Sequence, residues 1–147
     1  MDHIRFLKMI KHTADAYGAC IDRAAKSCGL TRAEADVMLF FHNHPEHDSA
    51  MDAVRLRGFS KAYVSRALLA LEKKSFVSIR TDQADRRVRH IAIRSEAQAA
   101  AQALSRAQGG FFEELTQRLS AGERQTFFEL LDKIMQSEGE PYETSRP

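Results

Sequence analysis

The chain is short of cysteine, of long apolar runs and of net charge, and each shortage removes a class of protein. Its two cysteines, Cys20 and Cys28, are too few for a disulfide framework in 147 residues. The opening residues show no signal-peptide pattern, so reduced thiols and a cytoplasmic location are expected. No stretch approaches the roughly 20 apolar residues of a membrane span, so no membrane partner is expected. No glycine-rich phosphate loop, no Ser-His-Asp order with a local signature and no spaced set of metal ligands appears, so neither an enzyme nor a bound cofactor or metal is expected. Internal repeats are also lacking.

What is present suits one compact unit, or one folded unit shared with a partner chain: 44% of residues are apolar and 29% charged. The formal charge is only +2, which argues neither for nor against nucleic acid, but its distribution is uneven. From Asp48 to Arg94 there are eleven Lys and Arg against five Asp and Glu, so this third carries +6 and the remainder −4.

The periodicity is mainly helical. Residues 3–27 repeat Ile4, Leu7, Ile10, Ala14, Tyr17, Ile21 and Ala24 at steps of three and four, the stripe of one long helix ended by Gly29. Thr31, three residues before Glu34, reads as a capping box for a second helix carrying Val37, Met38, Phe40 and Phe41 and closed by Pro45. Asp48 or Ser49 can cap a short third helix, stopped by Gly58, and Ser60 a fourth running to about Lys74. So short a link makes a helix-turn-helix of the pair. "FVSIRT" and "RRVRHIAI" then alternate with period two around a "DQAD" turn, a β-hairpin or wing. From Ser95 helix returns. Gly109 and Gly110 suggest a kink or hinge before the stripe Phe111, Phe112, Leu115 and Leu119, and Ser120 caps a strongly apolar last helix from Phe127 to Met135.

Chemistry concentrates on the fourth helix and the hairpin. Val64, Leu68 and Leu71 share a narrow arc, so Ala62, Arg66, Leu69 and Lys73 face the other way, with Lys61, Tyr63 and Ser65 beside them. Such a face fits the major groove. Arg66 could meet guanine, Ser60, Ser65 and Tyr63 phosphates, and Ala62 a thymine methyl. A solvated charged face would look the same on an isolated helix, but the neighbouring hairpin adds Arg86, Arg87 and Arg89 at its tip. Those guanidinium groups suit phosphates or a narrow minor groove, with Asp85 orienting one of them.

The run "SKAYVSRALLALEKKSFVSIRTDQADRRVRHIAI" resembles the recognition helix and wing of the MarR family of bacterial transcriptional regulators, with the family's Asp-x-Arg signature at Asp85 and Arg87. "LTRAEADVML" is similar to its second helix and "LTQRLSAGERQTFFELLDKI" to its closing helices. Two departures stand out: Ser75 where the family usually has glycine, which leaves open whether the helix ends differently there, and Arg94-Ser95 where it usually has Leu-Thr, with Ser95 still able to cap the next helix. The resemblance implies a mainly α fold with a small β-hairpin wing, in which residues 31–94 form a winged helix-turn-helix, 1–30 and 95–138 a helical dimerisation region and 139–147 a polar tail. It also implies a homodimer on double-stranded, pseudo-palindromic DNA, a repressor released by a small aromatic effector. His12, Tyr17, Phe41 and Met51 are candidates to line that effector's crevice, though they serve equally well as core.

Two other readings stay open. Cys20 could be a redox-sensing thiol, although Phe40 and Phe41 stand where the peroxide-sensing branch of the family has tyrosines; packing is the plainer role. Alternatively the winged helix could assemble with another protein, but that use needs no cluster of wing arginines. His42, His44 and His47 invite a metal, yet Pro45 and their spacing spoil a shared helical face.

Overall fold

The structure is a computed structural model and describes residues 2–136. Expectations for the tail at 139–147 lie outside the described residues. The chain forms two compact units, Met1–Phe111 and Phe112–Pro147.

In the first unit, α1 spans His3–Ser27, α2 Arg32–Asn43, α3 Ala50–Arg57 and α4 Lys61–Lys73; strands β1, Val77–Thr81, and β2, Arg89–Ile93, follow. A single 3₁₀ turn at Ser95–Ala97 leads into α5, Gln98–Thr116, and α6 covers Ala121–Gln136. The helix starts follow their caps. Thr31 and Glu34 form the full capping box, Ser49 and Asp52 form another, and Ser60 accepts from the Tyr63 amide at 3.1 Å. Ser49, not Asp48, is therefore the third cap, and Asp48 is left for another partner. Gly58 ends α3 in the left-handed conformation.

The core gathers on α2, which buries every residue from Glu34 to Phe41. Around it pack Ile21 and Ala25 of α1, Val64, Leu68 and Leu71 of α4, Val77 and Ile91 of the hairpin and Leu104 of α5. The stripe expected on α1 is buried only in its second half, since Ile4, Leu7 and Ile10 stay exposed. The strands pair antiparallel, with Arg80 opposite His90 and Thr81 opposite Arg89.

Two local expectations need correction. The hairpin tip is longer than "DQAD": the strands stop at Thr81 and Arg89, and the Asp82 amide closes the loop by donating to the Val88 carbonyl at 2.9 Å. Ser95 does not cap α5; its hydroxyl donates to Glu96 at 3.0 Å, and Arg94 precedes the 3₁₀ turn without a side-chain cap. α5 runs as one continuous helix through Gly109 and Gly110. The unit boundary nonetheless falls directly after them, at Phe111.

In the second unit, α6 opens with Ser120 and Glu123 exchanging bonds, the Ser120 amide donating at 2.8 Å. Phe127, Phe128, Leu130, Leu131 and Met135 are exposed along it.

Candidate nucleic-acid interface

The turn into α4 is fixed by aromatic contacts. The Phe59 ring lies 5.2 Å from the Tyr63 ring, and the Arg57 guanidinium sits 5.2 Å above Phe59. Once the helix starts there, the burial of Val64, Ala67, Leu68 and Leu71 turns Lys61, Ala62, Ser65, Arg66, Leu69 and Lys73 to the outside. This is the face expected from the sequence. Ser60 keeps its cap role at the edge of it, exposed.

Aspartates organise the tip of the wing. Asp82 accepts from the amides of Ala84 at 2.7 Å and Asp85 at 2.8 Å, and Asp85 accepts from the Arg87 amide at 2.9 Å. These are bonds to backbone, the local competition that short polar side chains win in turns. Asp85 therefore shapes the loop that carries the arginines, holding Arg87 through its backbone amide. Arg86, Arg87 and Arg89 are exposed. Among the described residues, none of Lys61, Arg66, Lys73, Arg86, Arg87 or Arg89 stands in an ion pair.

The wing is tied to the helices through His90. Its Nδ1 lies 2.8 Å from Asp48 and its Nε2 3.1 Å from Asp82, so the ring bridges the loop before α3 and the wing loop. Bonding to Asp82 and then Asp48 raises the imidazole above its ordinary value, and Asp82 is held below the usual carboxylate range by the Asp85 amide, His90 and the Ala84 amide. Beside the ring, the Ile91 amide donates to the Asp48 carbonyl at 2.7 Å. Sequence inspection passed over His90, whose partners lie 42 and 8 residues away.

Tyr63 is placed otherwise than expected. Its hydroxyl points inward and donates to Asp36 Oδ2 at 2.9 Å, so it is not offered to a phosphate. Burial, reinforced by the Asp36 carboxylate, pushes the phenol up to about 12, keeping it a proton donor. Asp36 and its partner Arg32 carried no local signal beyond helical spacing.

A cavity of about 230 Å³ lies between α3, α4 and the hairpin, lined by Met51, Val54, Lys61, Leu69, Ile79 and Arg89 among others. Leu69, without an evident role in the sequence, forms part of this wall. A second cavity of about 390 Å³ is lined by Phe41, His42, His47, Asp48 and Ile93 among others. The four candidate effector residues are not brought together. Met51 lines the first cavity, Phe41 the second, Tyr17 stacks edge-on against Phe111 at 5.3 Å, and His12 is exposed. Five residues of helix turn His12 about 140° away from Tyr17, which is why one stripe cannot hold both.

Cys20 is half-buried and donates to the Ala107 carbonyl at 3.5 Å. His44 and His47 flank Glu46 at 3.4 and 3.7 Å, while His42 lines the second cavity. Among the described residues no group of three His, Cys, Asp or Glu side chains is arranged for a metal, and no helix is long and apolar enough to cross a membrane.

Three packed helices followed by a two-stranded hairpin on the last of them define a winged helix-turn-helix. Residues 29–88 match the sequence model of the MarR family. A MarR-family transcriptional regulator from Silicibacter pomeroyi superposes with a TM-score of 0.75 at 18% identity, over 88% of this chain and 87% of that one. The S. aureus MepR–DNA complex gives 0.77 at 15% identity over 93% and 99%. A MarR-family protein from Listeria monocytogenes complexed with 26mer DNA gives 0.81 at 14% over 89% and 87%. At these identities the likeness is one of fold. No curated protein sequence matches the chain.

Proposed function

We propose that the protein is a homodimeric DNA-binding transcriptional regulator, a repressor that a small molecule releases. The observation that carries this reading is the pairing of two exposed basic surfaces free of carboxylate partners. Lys61, Ser65, Arg66 and Lys73 lie on the outer face of α4, and Arg86, Arg87 and Arg89 on the wing, with Lys61 and Arg89 both lining one cavity. Cations without protein partners are available to release counterions from phosphates, the main source of affinity for duplex DNA. In this reading α4 enters the major groove through Arg66, Ser65, Ala62 and Lys61, and the wing arginines reach phosphates or the minor groove.

Two structurally similar proteins were seen with DNA, and their likeness supports the same use here. Dimerisation through residues 1–30 and 95–138 is supported by the exposed apolar faces of α1 and α6, which suit a partner chain. Two copies would then read half-sites about one helical turn, roughly 34–36 Å, apart. An effector that alters the spacing of the two winged helices would weaken that fit.

The test is binding to the intergenic DNA upstream of the protein's own reading frame against a scrambled duplex, by anisotropy over a salt series. Sequence-selective binding with a steep salt slope is expected. Weak and equal binding to both duplexes, followed by a failed selection from random sequences, would overturn the reading in favour of a protein partner.

A further inference from the structure

Among the described residues, the buried charged side chains are two carboxylates, Glu34 and Asp36. Both belong to α2, and each is bonded to an opposite end of α4. Asp36 accepts from the Tyr63 hydroxyl in the first turn at 2.9 Å; Glu34 accepts from Nζ of Lys74, the C-cap, at 2.7 Å. Each carboxylate is itself held. Both Asp36 oxygens accept from Arg32 Nε at 2.9 Å, and Arg32 reaches α1 at the Gly18 carbonyl, 3.2 Å, and Asp22, 3.4 Å. Glu34 takes the Thr31 amide at 2.8 Å, and Lys74 also donates to the Gly29 carbonyl at 2.9 Å.

Burying carboxylates is costly, and well-packed apolar side chains of like volume usually stabilise at least as much, so stability alone gives no reason for this pair. What they add is direction. The apolar seam of Val64, Leu68 and Leu71 lets α4 roll or slide on α2, whereas ties from Tyr63 and Lys74, residues whose backbones lie about 16 Å apart along the helix axis, restrain rotation and translation together. The restraint matters at the far side of the helix. A roll of about 10° carries a side-chain tip lying ~10 Å from the axis through nearly 2 Å, more than the tolerance of a base contact.

We propose that Asp36 and Glu34 are positioning residues for DNA reading, which set the pose of α4 through Tyr63 and Lys74. This rests on the regulator reading above and assigns Tyr63 to the protein interior. Arg32 extends the tie to α1, so the recognition helix is referenced to the first helix as well as to the second.

The experiment compares operator affinity of wild type, Tyr63→Phe, Asp36→Asn and the double variant, each first shown to be folded by circular dichroism, together with amide exchange of α4 without DNA. Tyr63→Phe loses one bond to a charged group, so an affinity loss of about tenfold is expected, with faster exchange in the first turn of α4. The double variant should bind no worse than Asp36→Asn, because both changes cut one tie. Lys74→Met should speed exchange at the other end. Wild-type affinity in Tyr63→Phe, or losses that multiply in the double variant, would overturn the proposal, the latter by showing that Tyr63 meets DNA itself. If wild type fails to select any DNA sequence, the regulator reading falls, and unchanged α4 exchange in Tyr63→Phe would separately show that the tie sets no pose.

Discussion

At the residue scale the most informative side chain is one that departs from the pattern of the family the chain resembles. Two helices of this chain end in the same way. Leu30 donates back to the Ala25 carbonyl across Gly29 at φ 67°, and Phe76 donates back to Leu71 across Ser75 at φ 61°. Both are Schellman-type ends that need a left-handed residue. Glycine adopts it freely; a serine Cβ meets the following carbonyl, at a cost of about 1–2 kcal/mol. The sequence left open whether α4 would end differently because of Ser75. It does not: the packing of Phe76 and Val77 behind it imposes the conformation. Ser75→Gly should therefore stabilise the fold, by about 0.5–1 kcal/mol after the larger chain entropy of glycine is subtracted. A urea titration checks this, and an unchanged or lower midpoint would mean that the left-handed serine carries no strain.

At the element scale, what could be read from the sequence was whatever is encoded by neighbours in the chain. The capping box at Thr31 and Glu34, the Ser60 cap, the Gly58 stop and the alternation of the hairpin all act within four or five residues, and each appears where its spacing placed it. The exposed face of α4 was legible for the same reason. The inward turn of Tyr63 was not, since Asp36 lies 27 residues away and nothing in its spacing marks it. The wing shows both cases: its strands were legible, its attachment through His90 was not. That attachment gives the element a pH dependence. His90, raised by Asp82 and Asp48, contributes fully below its unfolded value and loses its contribution as pH climbs through the raised folded one. Asp82, depressed, contributes above its unfolded value and loses it as pH falls. Arg80, opposite His90 in the register, and its neighbour Arg89 are the cations nearest in the hairpin. The wing is thus best fastened between the acid range of Asp82 and the raised value of His90. Amide protection at Ile91 should be greater at about pH 6 than at about pH 9, and His90→Gln should remove most of that difference. A wild-type protection factor that stays flat across this range would show that the bridge does not fasten the wing.

At the scale of the whole molecule, charge and apolar surface lie on different parts of the chain. The +6 of residues 48–94 belongs to the helix-turn-helix and wing, whereas most of the exposed leucines, isoleucines and phenylalanines belong to the start of α1, the end of α5 and α6, with Leu56 and Leu69 the exceptions. A protein that met DNA as a monomer would have no use for those apolar faces, and one that only assembled with proteins would have none for the unpaired arginines. The proposed DNA-binding dimer would use both, and salt dependence can count the protomers that bind. Each phosphate neutralised contributes about −0.9 to the slope of log affinity against log salt. Arg87, exposed on a loop whose backbone Asp82 and Asp85 hold in place, should weaken binding by about 1–3 kcal/mol when replaced by alanine. If two copies bind one operator, that single substitution removes two contacts, and the slope should become shallower by about 1.8; a lone copy would give about 0.9. Measured beside the mass of the complex in solution, the larger change places both wings on DNA. The smaller change in a complex of dimer mass would mean that only one wing engages, and no change in slope would take Arg87 off the phosphates altogether.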